Sequence, residues 1–221
     1  PQHRYTKQLL AAVPDNLVRQ KRQSAEPVIP APDSLVIDLN RPPPLIQVKN
    51  LRVWFPVRKG LWRRTVGHTK AVDNVSLSVQ SGKIVALVGE SGCGKTTLGR
   101  AILQLERPSA GEVLLEGTDL TKLSNTELRR WRPKMQIAFQ DPQSSLNPRL
   151  LVETTLTEPM KAHGIGVNHE ERVERAAQIL EQVQLKRDFL WRYPHEFSGG
   201  QRQRIGLARA LVVKPRFIVC D

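Results

Sequence analysis

The stretch Gly89-Glu90-Ser91-Gly92-Cys93-Gly94-Lys95-Thr96, with Thr97 after it, matches the G-x-x-x-x-G-K-[ST] pattern. Glycines at these positions let the backbone curl so that successive N–H groups point inward at phosphate oxygens. The positive end of a following helix favours the same anion. Lys95 can then reach the β and γ phosphates of ATP, and Thr96 offers a hydroxyl to Mg²⁺, which prefers oxygen ligands and keeps several waters. A second glycine pair, in Phe197-Ser198-Gly199-Gly200-Gln201-Arg202-Gln203-Arg204, again exposes backbone donors where a helix should start. Cys93, inside the first motif, is either a small space-filler or a thiol that bound ATP would shield from alkylation.

The elements that must carry these residues follow from periodicity. Ile84 to Val88 is a short continuous apolar run, which predicts a strand buried on both faces directly before the loop. Lys95 to Leu105 reads as the helix after it, ended by Pro108. Upstream, Ile46, Val48, Leu51, Val53 and Phe55 give a broken alternation, and Ala71 to Val79 gives another, as in antiparallel strands half covered by a core. Strands are also expected at Glu112 to Leu115, Met135 to Phe139 and Phe217 to Cys220, and a helix at Gln201 to Val213. Ser124 with Glu127 forms a capping box for a short helix through Trp131, and Asn168 with Glu171 starts another. That second helix places Val173, Ala176, Ala177, Leu180 and Val183 on one face. Strands alternating with helices imply an α/β domain, more helical between residues 141 and 200.

Length and composition bound the function. The chain has 221 residues, 39% hydrophobic and 25% charged, with no stretch near the roughly 20 apolar residues of a membrane span. Two cysteines make neither a disulfide framework nor a metal cage. A net charge of +13 favours polyanions without choosing among them. Arg52 to Lys70 concentrates Arg52, Arg58, Lys59, Arg63, Arg64 and Lys70 with no acidic residue, which reads as a solvated hairpin or a polyanion-binding patch. Residues 15–44 hold most of a run of seven prolines between Pro14 and Pro44 and read as a linker, with a domain boundary near residue 45.

Phe197-Ser198-Gly199-Gly200-Gln201 resembles the LSGGQ signature of the ATP-binding cassette family. The resemblance implies a P-loop NTPase, RecA-like α/β core with an antiparallel β subdomain and a helical insertion at about residues 141–200. It implies two nucleotide domains packed head to tail, so that Gly89 to Thr97 and Ser198 to Gln201 serve different ATP molecules. By position in the family pattern, Gln140 contacts Mg²⁺ and the attacking water, Phe55 stacks on adenine (with Trp54 the neighbouring alternative), and Asp221 holds Mg²⁺ through water.

The segment Phe139-Gln140-Asp141-Pro142-Gln143-Ser144-Ser145-Leu146-Asn147-Pro148-Arg149 narrows the resemblance to importers of dipeptides, oligopeptides, nickel and glutathione, and Tyr193-Pro194-His195-Glu196 fits the same branch. The implied partners are a second cassette, two transmembrane permeases and, indirectly, an external solute-binding protein, with no nucleic acid. The implied place is the cytoplasmic face of the inner membrane. Pro1 to Lys7 and Leu9 to Pro14 resemble the tail of a preceding cassette, so the chain is read as a piece of a tandem protein. The family's catalytic glutamate should follow Asp221, and its switch histidine later; His163, His169 and His195 replace neither. Two other readings are a nucleic-acid-associated cassette ATPase, against which the absence of cysteine clusters and heptads counts, and a catalytically inactive fragment.

Overall fold

The computed structural model describes residues 42–59, 64–139 and 146–221, without the side chains of residues 58, 59 and 64. The expectations for the preceding-cassette tail, almost all of the linker, Gln140, and much of the basic and branch-specific stretches lie outside the described residues.

Strand β1 (Ile46–Lys59) pairs antiparallel with β2 (Arg64–Val79), from Ile46 opposite Val79 to Lys59 opposite Arg64. The alternation read from sequence is real: Ile46, Val48, Leu51 and Val53 are buried, while Arg52 and Trp54 face the other way. Irregularities in pairing at Val48/Leu51, Leu51/Val53 and Val53/Trp54 account for the broken pattern. The first half of β1 also pairs with β3 (Ala110–Leu115), which pairs with the short β4 (Thr118–Asp119), giving the sheet order β2-β1-β3-β4. Helix α1 (Lys95–Ile102) buries Leu98, Ala101 and Ile102 in the cluster that holds Leu51, Val53, Val72 and Leu115. It ends at Ile102, three residues before the expected Leu105, because Gln104 takes a left-handed conformation with φ 54°.

Helix α2 (Asn125–Trp131) has the expected capping box: Ser124 Oγ accepts from the Glu127 amide and Glu127 reaches back to the Ser124 amide. A single 3₁₀ turn, Arg132–Lys134, leads into β5 (Met135–Ala138). β5 pairs in parallel with β6 (Phe217–Cys220), and parallel pairing demands a long crossover. The crossover contains α3 (Val152–Ala162), α4 (His169–Gln182) and α5 (Gly199–Leu211). These helices have their own cluster, with Leu156, Met160, Leu180 and Ile205 fully buried. On α4, Ala176, Ala177, Leu180 and Val183 are buried and Val173 packs at the margin, so the predicted face is the packed face. No helix among the described residues is long and apolar enough to cross a membrane.

One expectation fails. Residues 84–88 form no strand, and Ile84 and Val88 are 99% and 94% exposed. A strand is stabilised by a neighbour's ladder, and no strand among the described residues pairs with this segment: the parallel sheet consists of β5 and β6 alone. The apolar run therefore reaches the glycine-rich loop as an uncovered stretch outside any strand.

Candidate functional site

The loop's curvature is set by its glycines. Gly94, the N-cap of α1, has φ 96°, and a Cβ there would lie 2.1 Å from the Ala71 carbonyl oxygen. Any side chain would push the loop off β2. No side chain caps α1, so its first-turn amides stay available to an anion. Lys95 Nζ donates to the Gly89 and Glu90 carbonyls, at 2.8 and 2.7 Å, and lies 3.7 Å from Cys93 Sγ. Its ammonium is thus held inside the loop it belongs to. Cys93 and Cys220 are both exposed free thiols.

Thr96 and Asp221, 125 residues apart, meet: Thr96 Oγ1 donates to Asp221 Oδ1 at 2.7 Å. The Asp221 amide donates to the Ala138 carbonyl, carrying the β5–β6 pairing on to the Asp221 backbone. A hydroxyl and a carboxylate side by side are hard oxygen donors of the kind Mg²⁺ takes, and two protein ligands suit an ion that keeps several waters. Thr96 and Asp221, each expected separately to serve Mg²⁺, would fit such an ion.

Phe55 is exposed and stands outside the cluster that holds Leu51, Val53 and α1, so the expected alternation of β1 is buried only as far as Val53. Trp54 lies on the opposite face, its ring 4.8 Å from Lys70 Nζ and 5.8 Å from the Arg52 guanidinium carbon. Phe139, the last described residue before Gln140, is exposed.

At the second glycine pair, Ser198 Oγ accepts from the Gln201 amide and Gln201 Oε1 accepts from the Ser198 amide. The S-x-x-Q spacing is a capping-box signal that sequence reasoning missed, and it starts α5 at Gly199, two residues before the expected Gln201. Neither Gly199 nor Gly200 has a positive φ, and a Cβ on either would meet nothing within 4 Å. Their own fold does not require them to be glycine. Among the described residues no hydrogen bond joins Ser198–Gln201 to the Gly89–Thr97 loop.

A groove of about 360 Å³ runs between β5 and the helices, lined by Ile137, Phe139, Glu158, His163 and Arg209 among others. Burial, then the nearby Arg129 charge, pulls His163 below its ordinary value. His169 approaches Glu153 at 3.7 Å and His195 stacks on Tyr193, so the three histidines sit on the helical unit as surface and packing residues. Sequence reasoning missed Arg132, which donates to the Leu103 and Gln104 carbonyls; contacts 28 and 29 residues apart leave no spacing to read.

Residues 72–221 match the family model described as ABC transporter. The chain belongs to the ABC transporter family. It is 45% identical over 178 residues to the oligopeptide transport ATP-binding protein AppF of Bacillus subtilis, covering 80% of this chain and 54% of that one. It is 43% identical over all 221 residues to the peptidoglycan transport ATP-binding protein YejF of Agrobacterium fabrum, covering 37% of it. A putative peptide import ATP-binding protein of Brucella ovis is 48% identical over 80% of this chain and 54% of its own length. The chain therefore spans about half, or less, of these ABC relatives. Among solved ABC structures, the dimeric bacterial cassette MJ0796 superposes with TM-score 0.68 at 31% identity, covering 80% of this chain and 73% of that one. The same cassette bound to ADP and Pi gives 0.69 at 30% identity over the same shares.

Proposed function

We propose that this ABC chain is the nucleotide-binding part of a protein that uses ATP hydrolysis to energise import of peptides or a related small solute. The observation that carries the reading is the Thr96–Asp221 hydrogen bond beside the Lys95 loop, which gathers phosphate and metal groups from opposite ends of the domain. The names of its relatives supply the substrate class.

In this reading the first-turn amides of α1 and the loop backbone of Gly89 to Gly94 hold the phosphates. Lys95 exchanges the Gly89 and Glu90 carbonyls for β and γ phosphate oxygens. Thr96 and, through water, Asp221 would hold Mg²⁺, which when bound neutralises charge on the phosphates. Phe55 stacks on the adenine, and Gln140 orients the attacking water.

A second cassette covers Ser198–Gln201. Support comes from Gly199 and Gly200, whose bare surface lets a nucleotide held by another domain approach the α5 N-terminus, and from the dimeric state of MJ0796. In this reading permease subunits engage the groove beside Phe139, with the chain at the cytoplasmic face of the inner membrane. Residues 15–44 act as a linker to residues 1–14, the tail of the partner cassette, and residues 45–221 form this one; the match to YejF across all 221 residues supports treating both parts together.

ATP turnover by the full-length protein reconstituted with its permeases tests the reading. A rise in turnover on adding a peptide-loaded solute-binding protein is expected. Turnover insensitive to the loaded binding protein, with salt-sensitive DNA binding instead, would overturn it in favour of a nucleic-acid-associated ATPase.

A further inference from the structure

We infer that Arg132 is a positioning residue for the phosphate loop, because it closes a hydrogen-bonded frame around α1 from the end opposite the nucleotide. The inference rests on the proposed ATP-binding role of that loop.

The frame can be followed bond by bond. At the N-terminal end of α1, Thr96 Oγ1 donates to Asp221 Oδ1, and the Asp221 amide donates to the Ala138 carbonyl at the end of β5. At the start of β5, Gln136 Nε2 donates to the Arg132 carbonyl at 2.7 Å. The Arg132 guanidinium then donates to the Leu103 carbonyl at 2.6 Å and the Gln104 carbonyl at 3.0 Å, at the C-terminal end of α1. Both ends of one helix are thus tied to one strand. Between the ties, α1 lies close on β6: a Cβ on Gly99 would come within 2.9 Å of Val219 Cγ1.

Arg132 suits this place chemically. Helix C-terminal carbonyls lack intrahelical donors and carry the negative end of the helix dipole, and a planar guanidinium can satisfy two of them at once. Among the described residues no carboxylate pairs with Arg132, so its charge is directed at the helix end. Arg107 braces the same corner, donating to Gln104 Oε1, the Thr121 and Leu123 carbonyls and Asn125 Oδ1. Burial, with the Arg107 charge second, disfavours the charged form of Arg132, a cost that the two carbonyl contacts offset. Loss of the clamp frees the C-terminal end of α1 to tilt on Val219, and the loop at the other end moves with it.

The test uses the full-length protein with every cysteine except Cys93 replaced by serine, Cys220 among them, leaving Cys93 as the loop reporter. Arg132→Met keeps the stem and removes the donors; Arg132→Lys keeps one charge and one donor group. Two readouts are taken well below the thermal midpoint: the alkylation rate of Cys93 without nucleotide, and MgATP affinity by competition with a fluorescent ATP analogue. Expected for Arg132→Met are a Cys93 rate raised about three- to tenfold and MgATP binding weakened by a similar factor, with Arg132→Lys in between. A lowered thermal midpoint with both readouts unchanged would show a merely structural residue and overturn the inference. If Arg132→Met does not fold, Arg132→Lys decides alone: unchanged labelling and affinity overturn it, and a shift in both supports it. Failure of the parent protein to bind MgATP would sink the proposed function, while the labelling readout still judges the clamp.

Discussion

The helical crossover and the phosphate-loop region are built on opposite principles. The three helices bury their apolar faces against one another, so Leu156, Met160, Leu180 and Ile205 are covered by residues from the same stretch of chain. The loop region takes its partners from far away: Ala71 under Gly94, Val219 under Gly99 and Asp221 beside Thr96. Its lead-in, Ile84 to Val88, has no sheet neighbour among the described residues and stays exposed. The difference teaches that the groups of the loop are positioned by α1 and its ties rather than by the stretch that precedes the loop.

The contrast can be broken most directly in the helical unit. Leu180→Ala leaves a cavity among fully buried neighbours and should cost about 2–5 kcal/mol in a urea melt; a loss under about 1 kcal/mol would mean the helices are not a self-supporting core. Next comes Lys95→Ala, which removes a charged donor while leaving the core intact. It should weaken ATP by about 2 kcal/mol, roughly thirtyfold in Kd by titration, with little change in melting. Equal ATP affinity in the variant would show that the loop does not bind through this group.

A smaller effect is expected from pH. His163 has a lowered pKa in the folded chain, so above its ordinary 6.5 it is neutral in both states and its contribution to stability is complete. As pH falls through 6.5 the unfolded chain takes the proton first, and that contribution is progressively lost. Between pH 7.5 and 5.5 the parent protein should lose more stability than His163→Gln, by less than about 1 kcal/mol for a half-buried ring. Identical pH profiles would remove His163 from the account. The smallest effect belongs to Ile84→Ser, which should change stability of this chain by no more than about 0.5 kcal/mol. A larger loss would show that the exposed stretch is covered after all.

What was legible in the sequence follows the same divide. Capping boxes at Ser124–Glu127 and the Asn168 cap were readable because a cap is satisfied within three residues. The face of α4 was readable because one helical period sets it. Ile84–Val88 was misread because apolar composition reports a tendency to be buried, while burial itself needs a partner strand that composition does not supply. The glycine–lysine loop was visible as a pattern, but the direct Thr96–Asp221 hydrogen bond was not expected, because the resemblance gave Asp221 only as a residue that holds Mg²⁺ through water. Arg132 was invisible: a guanidinium meeting backbone carbonyls depends on the fold alone, with no residue type required at Leu103 or Gln104.

The Thr96–Asp221 hydrogen bond also fixes a timetable. At a synthesis rate of about 5–20 residues per second, the 125 residues between the two groups take roughly 6 to 25 s to emerge. Throughout that interval the loop and its lysine already exist and the whole helical crossover is being made. Of this pair the carboxylate is made second, so on the ribosome the nascent chain acquires the Gly89–Thr97 loop well before it acquires the Asp221 oxygen that Thr96 bonds.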